Sequence, residues 1–221
     1  GANRPTSDSR LSTRRFHLMT PPSKKLIVLG SAGHAQVIIH GLRLQGIEIH
    51  GIIDPKLPVN ETVLDIKVLG NDEVLDHITP QEYDIAVGIG MLPGNTVRRT
   101  VSKMIRDKVF EPITFVHPTA ILSSTVELGS GVQVMAGSVV QNGVRLGDDV
   151  VVNTGTVIDH GSVAGSGSWI SPGVTICGGV TMGQDCYVGA GATIIQNISI
   201  EEGTLIHAGK TIIKNIGIMP D

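Results

Sequence analysis

Two patterns of apolar and polar residues divide the chain. Over residues 24–112, short apolar runs alternate with amphipathic stretches. Leu26-Ile27-Val28-Leu29 ends at Gly30, an amphipathic stretch over 35–44 ends at Gly46, and the β-like run 48–53 stops at Asp54-Pro55. A third apolar strand, 85–89, leads through Gly90 to a basic helix over 95–107. Strand, Gly turn, helix and strand in that order predict a βαβ unit, and the alternation predicts a small parallel, Rossmann-like sheet.

From Phe115 the period becomes six. Seventeen consecutive hexads fill residues 115–216 without an insertion. Their second position is aliphatic throughout, counting Ala164 and Met182, and their fifth is Gly, Asp, Asn or Thr. Against a 41% hydrophobic background, that run has a chance probability of about 10⁻⁷. Such a period predicts a parallel β-helix shaped as a triangular prism. Each hexad supplies one short strand and one turn, and three hexads complete an eighteen-residue coil. The aliphatic second residues point inward in stacked columns, while the fifth residues suit turns with unusual φ.

Composition agrees with that geometry. There are 28 glycines but only six aromatic residues (three Phe, two Tyr, one Trp), and 17 of the glycines fall between Gly129 and Gly209. A narrow prism leaves no room for rings. The net charge of −3 shows no nucleic-acid footprint, and no apolar run approaches the roughly 18 residues that span a membrane. Cys177 and Cys186 sit inside the ordered repeat, which suits a reducing cytoplasm. Residues 1–23 are polar and aperiodic with no apolar h-region, so they read as a disordered tail or expression remnant. The expected organisation is an α/β domain over 24–112, a β-helix over 113–216 and a tail over 217–221.

The eighteen-residue coil sets polar residues in ladders. Ser124, Asn142, His160, Gly178, Gln196 and Lys214 share one ladder, with rungs about 4.8 Å apart. His160 is the only histidine on it, Asp159 flanks it, and Gly178 stands one coil further with no side chain over its N–H. A lone surface histidine is often incidental, but a general base beside an amide donor is the minimum apparatus for acyl transfer. A metal site is disfavoured. His117 and His207 share a face roughly 24 Å apart, and His160 lies on another. The cysteines have no His or Cys partner at metal spacing and read as packing. Lys210 and Lys214 are either a solvated face or contacts for the phosphate of a long ligand. In the first domain, Gly30-Ser31-Ala32-Gly33-His34 opens a helix after a strand, where backbone N–H groups can hold phosphate or ribose. Asp54 at the next strand end is placed to accept from a ribose or base.

The G-x-x-G-H turn, the small α/β domain, the unbroken hexapeptide wall and Asn153-Thr154-Gly155-Thr156-Val157-Ile158-Asp159-His160 together resemble a known family. It is that of the bacterial nucleotide-sugar acetyltransferases, of the bacillosamine and perosamine N-acetyltransferase type, related to the sialic-acid acetyltransferases. The resemblance covers residues 24–216. It implies a left-handed β-helix and a homotrimer with active sites between protomers. It also implies acetyl-CoA as donor and, as acceptor, a UDP- or GDP-linked amino sugar such as a 4-amino-4,6-dideoxyhexose. By match to the family motif, His160 is the catalytic base beside Asp159, Gly178 turns its N–H to the thioester carbonyl, and Asn153 shapes the site. Gly30, Ser31, Gly33, His34, Asp54, Gly90 and Met91 then face the nucleotide sugar, while Trp169, Gly178, Ala208 and Lys214 meet acetyl-CoA. No metal is implied. Two positions depart from the family pattern: Gly161 stands where an acidic residue is common, and Trp169 where a second histidine is frequent. Trp169 could stack on a ligand or cap a contact between protomers. Two other functions fit the same sequence: O-acetylation of a sugar hydroxyl, and a trimeric sugar-nucleotide-binding scaffold. A hydroxyl needs earlier deprotonation by a carboxylate-held histidine, so Gly161 favours the amine.

Overall fold

The computed structural model describes residues 24–217; the tail expected over 1–23, and all but the first residue of the one expected over 217–221, lie outside the described residues. The first domain runs β1 (Lys25–Leu29), α1 (Gly33–Leu44), β2 (Ile49–Ile53), β3 (Thr62–Val63), β4 (Ile66–Gly70), β5 (Tyr83–Val87) and α2 (Val97–Asp107). Its sheet has the order β3-β4-β2-β1-β5, parallel except for the β3–β4 hairpin. The βαβ unit read from the sequence is present, with its bounds shifted by a residue or two. The hairpin was not legible. Its two turn residues, Leu64 and Asp65, have φ of 51° and 64°, as a type I′ turn requires, without the Asn-Gly or Asp-Gly that announces one.

From Phe115 onward, two-residue strands recur every six residues and pair in parallel with a register of eighteen, as Val139 with Val157 and Val157 with Thr175. They form three sheets of six, five and six strands, the walls of a left-handed parallel β-helix. At the fifth hexad position, every residue from Gly131 to Gly209 has a positive φ between 55° and 73°. The aliphatic second positions fill the interior, as Val140, Leu146, Ile158 and Ile170 do at 0–1% exposure. A second inward column stands beside them at the sixth position, where Val132, Val150, Val174 and Cys186 are also buried. Four buried hydroxyls in this column each donate to a carbonyl fifteen residues on. They run from Ser138 to Asn153 (2.8 Å), Thr156 to Ser171 (3.0 Å), Ser162 to Cys177 (3.0 Å) and Ser168 to Gly183 (3.2 Å). The Cys186 Sγ makes the same contact to the Glu201 carbonyl at 3.1 Å, and burial pushes its thiol pKa up. Cys186 is thus a packing residue.

The first domain docks on the wall that carries Phe115, Val151 and Trp169. Ala35, Ile38, Ile39 and Leu42 of α1 share one core with those residues and with Met135. A Cβ at Gly41 would lie 2.5 Å from the Phe115 ring and 2.8 Å from His117. The glycine costs roughly 1 kcal/mol of helix propensity and lets α1 approach the prism. On the other face of the sheet, Ile105 of α2 and Phe110 pack on Ile27, Leu29, Ile53, Ile85 and Val87. The same helix reaches a prism corner, where Arg106 pairs with Asp149 at 2.5 Å and Arg99 with Asp185 at 2.9 Å. Among the described residues, no helix is long and apolar enough to cross a membrane.

Candidate functional site

Where the N-terminus of α1 meets the prism, a cavity of about 600 Å³ remains between the two domains. Gly33, His34, Val37, Met91 and Pro93 line one side, and Asn153, Trp169, Tyr187, His207 and Ala208 are among the residues of the other. The volume is that of a site for a small ligand. α1 has no side-chain N-cap and no acidic residue in its first turn, so its free N–H groups and dipole favour an anion there.

His34 and Trp169 form the junction. Their ring centroids lie 5.1 Å apart at a tilt of 54°. The Arg98 guanidinium sits 5.8 Å from the centre of the indole. Trp169 is 6% exposed. The indole therefore joins the chain's own two domains and walls the cavity. Arg98 is buried and donates to the carbonyls of Val87 (3.3 Å) and Ile89 (2.6 Å). Burial lowers its pKa to about 10, and Asp149 works against that shift.

His34 Nε2 lies 2.9 Å from Gln133 Oε1, and Gln133 Nε2 donates to the Val87 carbonyl at 2.7 Å. Burial, then the neighbouring Arg98 cation, pull the His34 pKa down from 6.5 to about 4, while the Gln133 hydrogen bond opposes them. The folded state thus resists protonating a ring that the unfolded chain protonates readily. The stability this ring contributes is fully present above pH 6.5 and drains away as pH falls toward 4. The expected loss reaches about 3 kcal/mol. Urea midpoints across that window, compared with His34→Asn, check it, and parallel curves for the two proteins would refute it.

His160 lies on a different wall and is exposed. Its ring rests on Gly178: a Cβ there would sit 2.6 Å from Cε1, 2.7 Å from Nε2 and 3.1 Å from Nδ1. The imidazole thus covers the Cα of Gly178, and that residue is buried. Asp159 Oδ1 accepts the backbone N–H of His160 at 2.7 Å, so it braces the turn that carries the base.

The cavity brings together Gly33, His34, Met91, Asn153, Trp169 and Ala208 of the residues singled out above. Gly30, Ser31, Asp54 and Gly90 stand at the adjoining sheet end, outside the lining. There Ser31 Oγ donates to Asp54 Oδ2 at 2.5 Å and the Lys56 N–H to Oδ1 at 2.9 Å. Asp159, His160, Gly178 and Lys214 lie away from the cavity of their own chain. Sequence reasoning missed Arg98, Gln133, Tyr187 and His207. One signal was available: Gln133 is the only amide in the wall column Phe115, Gln133, Val151, Trp169, Tyr187, Leu205. Among the described residues, no three His, Cys, Asp or Glu side chains converge as a metal site needs.

Comparison with known proteins adds to this geometry. The family description "PglD N-terminal domain" matches residues 25–105, and "Bacterial transferase hexapeptide (six repeats)" matches residues 162–196. No curated protein sequence matches significantly. Among solved structures, the chain is similar to perosamine N-acetyltransferase from Caulobacter crescentus, a histidine-to-asparagine mutant in complex with CoA and GDP-perosamine. The two share 30% identity over 89% of this chain and 92% of that one, with a TM-score of 0.80. It is similar also to the acetyltransferase domain of PglB from Neisseria gonorrhoeae in complex with acetyl coenzyme A, at 29% identity over 88% and 93% of the two chains, TM-score 0.80. WeeI from Acinetobacter baumannii, 17% identical over 86% and 96% of the chains with a TM-score of 0.62, shares the fold.

Proposed function

We propose that this chain, which belongs to the bacterial hexapeptide-repeat nucleotide-sugar acetyltransferases, acetylates the amine of a nucleotide-linked 4-amino-4,6-dideoxy sugar. The observation that carries this reading is the cavity, which faces an uncapped helix N-terminus on one side and the repeat wall on the other. Similarity to a structure that holds CoA and GDP-perosamine supports it.

In this reading Gly33, His34 and Met91 hold the sugar nucleotide, with its phosphates toward the Gly30–Gly33 turn. Acetyl-CoA supplies the acyl group as co-substrate, along the wall past Trp169 and Ala208. Lys214 stands three coils above His160 on the same ladder, about 14 Å away, within reach of the far end of a pantetheine arm. His160 removes the proton from the attacking amine, and the Gly178 N–H faces the oxygen on which negative charge develops. Asn153 shapes the site from the neighbouring wall. The amine adds to the thioester carbonyl, the C–S bond breaks, and the thiolate leaves with the acetamide formed. No side chain is acylated, so the kinetics are sequential.

His160 and the cavity occupy different walls of one prism, so one chain alone does not unite them. Asn153 and His160 belong to the same coil, however. A three-fold axis parallel to the prism preserves height, and brings the His160 of one copy level with the cavity of the next. The active enzyme is accordingly a homotrimer with shared sites. Mixing His160→Asn chains with His34→Asn chains tests this together with the reaction. Some interfaces of the mixed trimer then carry both native histidines and regain activity, whereas two inactive parents that stay inactive when mixed would refute shared sites. Mass spectrometry of products from paired UDP- and GDP-linked amino and hydroxy sugars reads the acceptor. Acetylation of the hydroxy sugars alone would overturn the N-acetyltransferase reading.

A further inference from the structure

Gln133 looks out of place in its column. It is 1% exposed between Phe115 and Val151, and nothing in the hexad period calls for an amide there. Its hydrogen bonds have a fixed direction. A carbonyl only accepts, so the Gln133 NH₂ must be the end at Val87 O, 2.7 Å away. The amide oxygen is then the end turned to His34 Nε2, 2.9 Å away, and an amide oxygen also only accepts. Nε2 therefore carries a hydrogen. Arg98 Nη1 shares the Val87 carbonyl at 3.3 Å, which ties α2 into the same arrangement.

We propose that Gln133 is a positioning residue that locks His34 in its Nε2–H tautomer, leaving Nδ1 as a fixed hydrogen-bond acceptor for an N–H or O–H of the acceptor sugar in the cavity. The ligand-facing half of this proposal rests on the acetyltransferase reading above; the tautomer lock does not. One charged group acts on the ring directly and two more groups stand near it. Arg98 of α2 disfavours its protonation, Asp149 at the prism corner faces Arg98, and His207 lines the cavity with it. Burial and the Arg98 cation keep the ring neutral at physiological pH. His34 thus orients a donor but is a poor proton carrier, and removal of the amine proton is left to His160. The lock sets the direction of the acceptor, and the cation beside it keeps the acceptor free.

Two readouts on the full chain need no substrate. Long-range ¹H–¹⁵N spectra of histidine-labelled protein, assigned by loss of the signal in His34→Asn, should show His34 with a protonated Nε2 and a bare Nδ1. A wild-type His34 protonated at Nδ1 overturns the proposal, whatever the variants do. Trp169 is the only tryptophan and its ring centre lies 5.1 Å from that of His34, so its emission is quenched as the imidazole protonates. The wild-type quenching midpoint should fall near pH 4. Gln133→Glu replaces the amide by a carboxylate that accepts the same hydrogen and adds negative charge, which should raise the midpoint by more than one pH unit. An unmoved midpoint also overturns the lock. For the ligand-facing half, Gln133→Leu is expected to raise the acceptor KM about tenfold more than it lowers kcat, the worth of one oriented hydrogen bond. An unchanged KM beside a confirmed tautomer would remove that half alone. Absence of acetyl transfer in the wild-type protein would count against the acetyltransferase reading and leave the lock standing.

Discussion

His160→Asn is expected to lower kcat by about 10²–10⁴-fold, the range associated with loss of a positioned general base. The KM values should stay near wild type. Asparagine keeps polarity and much of the volume but cannot take a proton from the amine. The local backbone should survive the change, because the contact that braces it runs from the His160 backbone N–H to Asp159 Oδ1, and no atom of the imidazole takes part. His34 cannot substitute: its pKa of about 4 makes it a far weaker proton acceptor at neutral pH than an ordinary imidazole. Steady-state release of CoA thiol, with the acceptor saturating, measures the effect. Wild-type turnover in the variant would remove His160 from the mechanism and leave the base unidentified.

His160 was singled out by the eighteen-residue ladder, its role as base being what the family resemblance implies, and the ladder was legible because the coil permits no slippage. An insertion of one residue would throw each later aliphatic side chain out of the prism, so period and geometry are tied together. The sixth hexad position was less legible. It mixes Val, Ile, Ala and Cys with Ser, Thr and one Lys, so its direction does not follow from hydropathy. Yet Ser138, Thr156, Ser162 and Ser168 are buried, because each hydroxyl finds a carbonyl fifteen residues on. A polar side chain that the backbone satisfies costs little inside, so hydropathy alone misplaces it.

The cavity was legible in part. His34 follows from the strand-turn pattern, and Met91, Asn153 and Ala208 from the family resemblance. What no local pattern holds is the docking of one domain on the other. Arg98 looked like one more cation in a basic helix and Gln133 like one hexad residue among many. Only when α1 and α2 settle on the wall do the two meet at the Val87 carbonyl. The chain's own first domain supplies one wall of the cavity, and the proposed mechanism needs a neighbouring copy to bring His160.

Gly178→Ala is expected to lower kcat by about 10²-fold although it keeps the backbone N–H. If the only duty of Gly178 were to donate that N–H to the developing oxyanion, alanine would serve nearly as well. The φ of Gly178 lies outside the left-handed region, so alanine brings no backbone strain and the prism should fold normally. The obstacle is the imidazole. Three ring atoms of His160 lie 2.6–3.1 Å from where the Cβ would stand, closer than carbon contacts allow, and the exposed ring is what must yield. Displacing a reacting group by about 1 Å can cost a factor near 10². A double-mutant cycle separates the seat from the donor. In a His160→Asn background the base is already lost and its ring gone, so adding Gly178→Ala should lower the residual kcat by less than about threefold. Full additivity of the two losses would mean that Gly178 acts independently of the ring it lies beneath, and the bare Cα would then have to be explained by the thioester alone.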